Sequence, residues 1–444
     1  MRKYIFYFNI YFFLFSTFIL SQVKDSSFYK VDYSFIVDSI YISGNDLTEK
    51  EIILKEMSFS TGEIVTPKIL TFTKERIFSL RIFTKVELIP YRYQEKNFVN
   101  IKVEESWYIY PIPFVNIQDR DFDKLSYGLA LLVFNFRGRN EKLKFVGALG
   151  YDPKLDFSYS VPYLDYKSEI SFGAGIRIQK VQNRSHIAKK LWGGNFDQTI
   201  RSGRLFFGKR FGTYNKVGIT AAYATIETSK FIKGISASET RIDHLFTIVF
   251  NYSYDTRDLS QFPREGIFAS SILQLKGLGI DNISYQVLNL DLRKYLKLNE
   301  NLSLKWRFAS RFTFGDLIPF YDNSFLGFSE RIRGHFRQEL EGNNSYISSI
   351  ELDYPIINNL NISLDFIPFI PKQLLRYRVA LYLQLFADTG MIQNKNEPLS
   401  IKKLNSGYGI GLTFLFLPYN VFRLERAWDE YGNPEWIFDV GVSF

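Results

Sequence analysis

Ser185, His186 and Asp197 are the one set of side chains in this 444-residue chain whose types could combine for acyl transfer as nucleophile, base and orienting carboxylate. They share the loop spanning residues 180–198, but no oxyanion-stabilising motif accompanies them, and such residues are ordinary loop composition. The 3 histidines, His186, His244 and His335, are scattered without metal-ligand spacing, and the chain has no cysteine. Thiolate metal sites and disulfides are therefore excluded. No catalytic residue, metal or cofactor is expected.

The remaining polar chemistry is ionic. Arginines and carboxylates gather in Ser329-Glu330-Arg331-Ile332-Arg333-Gly334-His335-Phe336, and in Asp255-Thr256-Arg257-Asp258 followed by Phe262-Pro263-Arg264-Glu265-Gly266. A guanidinium withdrawn from water needs carboxylate partners, and its planar fork suits bidentate pairing. The net charge of +9 invites a nucleic-acid reading. The basic residues, however, alternate with apolar ones or sit in loops, as solvated loops and a polar lumen require, so nucleic acid is not an expected partner.

Strands must position these charges. In residues 302–314, Leu302, Leu304, Trp306, Phe308, Phe312 and Phe314 fall on one face, and Ser303, Lys305, Arg307, Ala309, Arg311 and Thr313 on the other. Lipid on one side and water on the other demands that division. The same holds for Phe246, Ile248, Phe250, Tyr252 and Tyr254 against Thr247, Asn251 and Ser253, and for Leu381, Leu383 and Leu385 against Tyr382, Gln384, Phe386 and Asp388. Aromatic residues are 18% of the chain, as an aromatic-rich lipid face would make them. Counting to Phe444 gives about sixteen segments, each near the 9–11 residues a tilted membrane strand needs. An open edge in lipid would strand backbone groups at several kcal/mol each, so the sheet must close. The expected fold class is transmembrane β, an antiparallel outer-membrane barrel of about sixteen strands over residues 108–444. An even count puts both barrel ends on the side of whatever precedes it.

The preceding region has another grammar. Arg2 and Lys3, the apolar residues 5–20, then Ser21 and Gln22 form a secretory signal peptide over residues 1–21, with a linker over 22–32. Residues 33–107 read as a small periplasmic α+β domain: a strand over 35–42, a turn at Gly44-Asn45-Asp46, and Thr48 as N-cap with Glu51 three residues on. A helix follows over 49–57, Thr66-Pro67 opens a second, and strands over 85–93 and 98–104 close the domain.

That order resembles a POTRA domain, with Ser43-Gly44-Asn45, Thr48 and Arg81-Ile82-Phe83 at its turn, first cap and exit from the second helix. From this domain to Trp436-Ile437-Phe438-Asp439-Val440-Gly441-Val442-Ser443-Phe444, the chain resembles the bacterial surface antigen superfamily. Its members include BamA- and TamA-like outer-membrane assembly factors and the two-partner secretion transporters. The resemblance implies that the loop after the eleventh strand folds back into the lumen with Arg333 as its motif arginine, and lumen-facing Glu351 and Asp388 are its expected partners. The family usually has an aromatic directly after the glycine; here His335 stands between Gly334 and Phe336.

The turn between the eighth and ninth strands is expected to be structural, with Pro263 and Gly266 enforcing it and Asp255, Arg257 and Asp258 pairing locally. Trp436, Phe438, Val440, Val442 and Phe444 form one outward face of a final strand that Phe444 closes. Such a strand can also be added to an exposed sheet edge, as barrel clients are. Pro111 and Pro113, in the first barrel strand over residues 108–117, cannot donate ladder hydrogen bonds, so the seam with that final strand is weak.

The resemblance implies an assembly factor whose small domain receives unfolded barrel clients and whose seam admits their strands into lipid. The alternative is a transporter passing a polypeptide through the lumen. Two-partner secretion relatives usually carry two POTRA domains and a plug helix, and roughly ten residues between signal and domain are too few for that helix at about 1.5 Å per residue. A barrel enzyme is the third reading. Expected partners are outer-membrane lipid and lipopolysaccharide, unfolded outer-membrane or secreted proteins, and periplasmic chaperones or accessory lipoproteins; the sequence does not assign the basic loop around Lys189 and Lys190 to lipopolysaccharide phosphates.

Overall fold

A computed structural model describes residues 34–117, 122–327, 330–335, 338–395, 397–442 and 444. The expected signal peptide and linker, and Phe336 of the loop motif, lie outside the described residues.

The N-terminal domain runs β1 (Phe35–Ile36), β2 (Ser39–Ser43), α1 (Lys50–Leu54), β3 (Ile64–Val65), α2 (Pro67–Phe78), β4 (Phe83–Tyr93) and β5 (Lys96–Glu105). Thr66 caps α2 by accepting the Ile69 amide at 3.3 Å, and Pro67 takes the first turn, where no N–H is needed. Leu70, Ile77 and Phe78 bury against a sheet in which β2 lies parallel to β5 and β4 antiparallel to it. The strand expected over 35–42 is broken, because β1 leaves to pair with β3. The first helix is also shorter than expected, and Glu49 rather than Thr48 occupies its N-cap. Thr48 is buried, and its hydroxyl instead donates to Glu105 at 2.5 Å and accepts from Asn135 at 2.8 Å, at the junction with the sheet that follows.

That sheet has sixteen strands, each antiparallel to its neighbours. In order they are β6 (Ile109–Ile117), β7 (Leu125–Phe136), β8 (Glu141–Gly150), β9 (Lys154–Asp165), β10 (Ile170–Gln182), β11 (Asp197–Phe211), β12 (Asn215–Thr228) and β13 (Ile242–Asp255), then β14 (Gly266–Lys276), β15 (Tyr285–Lys297) and β16 (Ser303–Phe314). A loop containing the short hairpin of β17 (Ser324–Leu326) and β18 (Leu340–Gly342) intervenes before β19 (Asn344–Ser363), β20 (Arg376–Gln393), β21 (Asn405–Leu417), β22 (Asn420–Asp429) and β23 (Pro434–Val440). Helix α3 (His186–Trp192) lies between β10 and β11. The alternation orients each strand: on β16, Ser303, Lys305, Arg307 and Ala309 are buried toward the lumen, while Trp306 and Phe314 stay exposed on the lipid face. Strand lengths depart from the expected range, from 7 residues in β23 to 20 in β19.

Turns at one end of the sheet clasp the N-terminal domain. Glu49 N–H donates to Gly138 O at 2.9 Å, Tyr166 hydroxyl to Glu49 at 2.6 Å, and Arg210 pairs with Glu56 at 2.7 Å. The β13–β14 turn takes part in the same junction. Its charges do pair locally, Arg257 binding Asp255 through two hydrogen bonds of 2.8 and 2.7 Å and Asp258 accepting from the Arg264 amide at 3.0 Å. Its apex also docks the domain: Ser260 N–H reaches Ser79 Oγ at 2.9 Å and Gln261 reaches Phe78 O at 3.2 Å. Leu259 and Phe262 join the same apolar core as Phe78 and Ile82, so domain and sheet share one buried cluster. Pro263 and Gly266 hold that apex at the return into β14, Gly266 at φ 119°.

Candidate functional site: the lumen loop and the seam

Arg333 reaches the wall of the sheet and finds three carboxylates there. Its Nε and Nη2 grip Asp388 on β20 at 2.7 and 2.8 Å, a bidentate pair, while Nη1 reaches Glu351 on β19 at 2.9 Å and Glu425 on β22 at 3.2 Å. The guanidinium carbon lies 3.7 Å from the ring centre of Phe386, so the cation also rests on an aromatic face. Arg333 is 6% exposed and Glu351 and Glu425 are fully buried. At such depth each charge is tolerable only because the others are present. Glu425 was missed in the sequence, although it sits at an inward position of β22.

Close approach of the loop depends on Gly407 in β21, where a Cβ would fall 1.7 Å from the Arg333 carbonyl. Ile332 is buried with Ala309, Leu326 and Ile347, and the Gly334 amide donates to Glu435 at 2.8 Å. Arg331 lines a lumen cavity of about 400 Å³ together with Arg333, Asp388 and Glu425. His335, where the family motif would have an aromatic, is instead a polar clasp: Nε2 lies 2.5 Å from Glu430 and 3.1 Å from Ser406 O, and Nδ1 2.7 Å from Gln338. Burial works against charging this imidazole, but the hydrogen bonds to Glu430 and Gln338 outweigh it and raise its pKa above the usual value.

The charge layer continues downward. Lys305 on β16 bridges Glu351 at 3.2 Å and Asp353 at 2.7 Å, and its ammonium sits 3.6 Å from the centre of the Phe262 ring. Loop, wall and the β13–β14 turn are thus linked through one series of charges and rings.

The two ends of the sheet are finished differently. Among the described residues no ladder joins β6 to β23. The Phe134 amide donates to Tyr108 O at 2.8 Å, which fixes the register parity with β7: positions 110, 112 and 114 bond β7, and 109, 111, 113 and 115 turn their backbone groups toward the seam. Pro111 and Pro113 therefore cost the β7 ladder nothing and delete donors from the seam edge alone. The same reasoning applies to β23, where Gly441 N–H bonds Val421 O at 2.7 Å, so the backbone of Trp436, Phe438 and Val440 faces the seam. At the domain end both edges are capped by their own chain. Trp107 Nε1 donates to Ile109 O at 2.7 Å, and Asp439 accepts the Val440 amide at 2.8 Å.

The final strand does not run to Phe444 as expected. Trp436, Phe438 and Val440 do face outward, exposed, but the ladder stops at Val440. Gly441 has φ 112°, a conformation glycine adopts at no steric cost, and Arg423 holds its carbonyl at 3.0 Å. Val442 then packs on the core shared with the N-terminal domain, and Phe444 is buried in the lumen cavity beside Arg333 and Arg423. Where the tail has left the wall, tyrosines span the gap: Tyr419 lies 5.9 Å from Tyr110 of β6 and 5.8 Å from Tyr377 of β20.

The acyl-transfer candidates are not brought together. Ser185 caps α3, its Oγ accepting the Ala188 amide at 3.0 Å and donating to Glu341. His186 pairs with Glu339 at 3.1 Å, and Asp197 with Lys180 at 2.8 Å.

Comparison with known proteins agrees with this architecture. Residues 35–106 match the POTRA model described as a surface antigen variable number repeat, and residues 135–444 match the Omp85 superfamily domain. Among solved structures, BamA from Haemophilus ducreyi lacking POTRA domains 1–3 is 18% identical with a TM-score of 0.54, over 92% of this chain and 84% of that one. CdiB from Escherichia coli is 10% identical with a TM-score of 0.54, over 91% and 75%. At these identities the likeness is one of fold. The matched domain spans well over half of the sequence, and the chain belongs to the Omp85 superfamily.

Proposed function

We propose that this protein is an outer-membrane assembly factor: its POTRA domain, held in the periplasm, receives unfolded barrel clients, and their strands enter lipid by pairing with the free edge of β6. The observation that carries this reading is the seam, where among the described residues no ladder joins the two sheet ends and β6 has lost two donors to Pro111 and Pro113. Such an edge keeps its carbonyl acceptors, so an incoming strand can bond it through its own N–H groups and leave again at modest cost. No chemical step is needed; the free energy comes from the client's folding.

The lumen supports the same choice over passage of a secreted polypeptide. The Arg333 loop, the inward Phe444 and Phe262 of the β13–β14 turn all reach into it, and the POTRA domain packs on that turn. Depleting the protein from cells and measuring the remaining outer-membrane barrels by quantitative proteomics tests the proposal. Several barrels should fall severalfold; unchanged barrels with loss of one secreted protein would overturn it in favour of a transporter.

A further inference from the structure

The long β19–β20 hairpin is the feature that gating does not use. β19 pairs with β16 only as far as Asp353 and then continues to Ser363. The tip over residues 364–375 carries Phe366, 77% exposed, Phe369, 103% exposed, and Ile370, 44% exposed. Phe369 also has φ 67°, where bulky residues are rarely found. A strained and fully exposed aromatic serves no packing purpose in water, and strain of this kind concentrates where a chain meets something else.

We propose that this tip inserts into the membrane leaflet on the POTRA side as an interfacial wedge beside the barrel. Ile350 and Tyr354 are exposed on the lipid-facing side of β19, and Ile356 and Ile357 stay exposed through the register shift that follows, so exposed apolar surface continues from the wall toward the tip. The opposite face is bound to the POTRA domain, Arg378 pairing with Glu75 and Arg376 with Glu104. Outer face and tip are thereby turned away from that domain. The charge of the tip suits lipid as well: Asp365 is neutralised by Arg376 at 2.8 Å, and exposed Lys372 suits an anionic headgroup phosphate. A protein partner adding a strand is disfavoured, because Pro355 and the register shifts at Pro355/Ile357 and Ile357/Leu360 break the free edge of β19.

The absence of cysteine makes the test direct. Full-length Phe369→Cys, labelled with an environment-sensitive nitrobenzoxadiazole probe, is reconstituted in phosphatidylethanolamine–phosphatidylglycerol vesicles. Ile350→Cys on the lipid-facing wall and Gln94→Cys on the exposed POTRA hairpin serve as references. Quenching by a shallow spin-labelled lipid should be at least threefold stronger at position 369 than at 94, and near that at 350. Equal quenching at 369 and 94, with full access to aqueous iodide, overturns the proposal and leaves a protein as the occupant. Because the probe could itself seek lipid, the unaltered chain is also exposed to a diazirine-bearing phosphatidylglycerol. Adducts within residues 364–375 are expected, and adducts confined to the barrel wall would overturn it. Both readouts are independent of whether the seam admits clients.

Discussion

The wall that holds Arg333 and the seam between β6 and β23 belong to one sheet, yet their polar groups are treated in opposite ways. Around Arg333, buried carboxylates from β19, β20 and β22 converge on one guanidinium. Along the seam, donors are deleted by Pro111 and Pro113, or acceptor and donor are capped locally by Trp107 and Asp439. In the first region no strand can leave without stranding a buried charge. In the second, two donors are absent and one acceptor and one donor are held locally, so separation of the edges leaves fewer groups unsatisfied. Under the proposed assembly function, opening is expected along this one line of the barrel while the loop stays fixed.

The comparison breaks most visibly at Arg333. Arg333→Ala leaves three buried carboxylates facing one another and should cost about 3–5 kcal/mol, read as a lowered urea midpoint of heat-modifiable gel migration. Arg333→Lys should recover little, since an ammonium cannot reproduce the fork. A wild-type midpoint for Arg333→Ala would mean that the wall is held by something else.

Phe262→Ala should follow, weakening POTRA docking by about 3 kcal/mol and raising amide exchange in α2 without altering the barrel strands. Replacing both seam prolines, Pro111→Thr with Pro113→Thr, restores two donors worth about 1 kcal/mol each. The seam-facing amides of 109, 111, 113 and 115, and of 436 and 438, should become protected from exchange while client insertion slows; unchanged exchange would sever the link between the prolines and the seam.

The smallest effect is a pH dependence at the loop tip. The folded-state pKa of His335 is raised, so its contribution is full below the ordinary histidine value of about 6.5 and is lost as pH rises through the folded value. Limited proteolysis of the loop should accelerate with rising pH in the wild type and show no such trend in His335→Gln.

Much of this was legible because barrel strands obey a period of two. Alternation in residues 302–314 placed Lys305 and Arg307 inward, whereas Arg333 was placed in the lumen by the family resemblance, and its need for carboxylates then led to Glu351 and Asp388. Glu425 could have been found by the same rule, as it alternates with outward Leu424 on β22. The rest turned on tertiary competition that no local pattern encodes. Thr48 has the residue type of a cap, but a carboxylate from β5 and an amide from β7 claim its hydroxyl. Val442 and Phe444 continue the outward alternation in sequence, yet Gly441 bends the chain and burial in the lumen prevails. The docking role of Leu259 and Phe262 needed the partner surface of α2, far away in the chain.

The central claim is that clients pair at the β6 edge, and site-specific photo-crosslinking tests it most directly. A photoreactive residue at Val115 of β6 should capture the terminal strand of a barrel client during assembly, whereas one at Leu205 on the far wall and one at Ser349 in the lumen should not. Capture concentrated at Ser349, with none at Val115, would contradict the account.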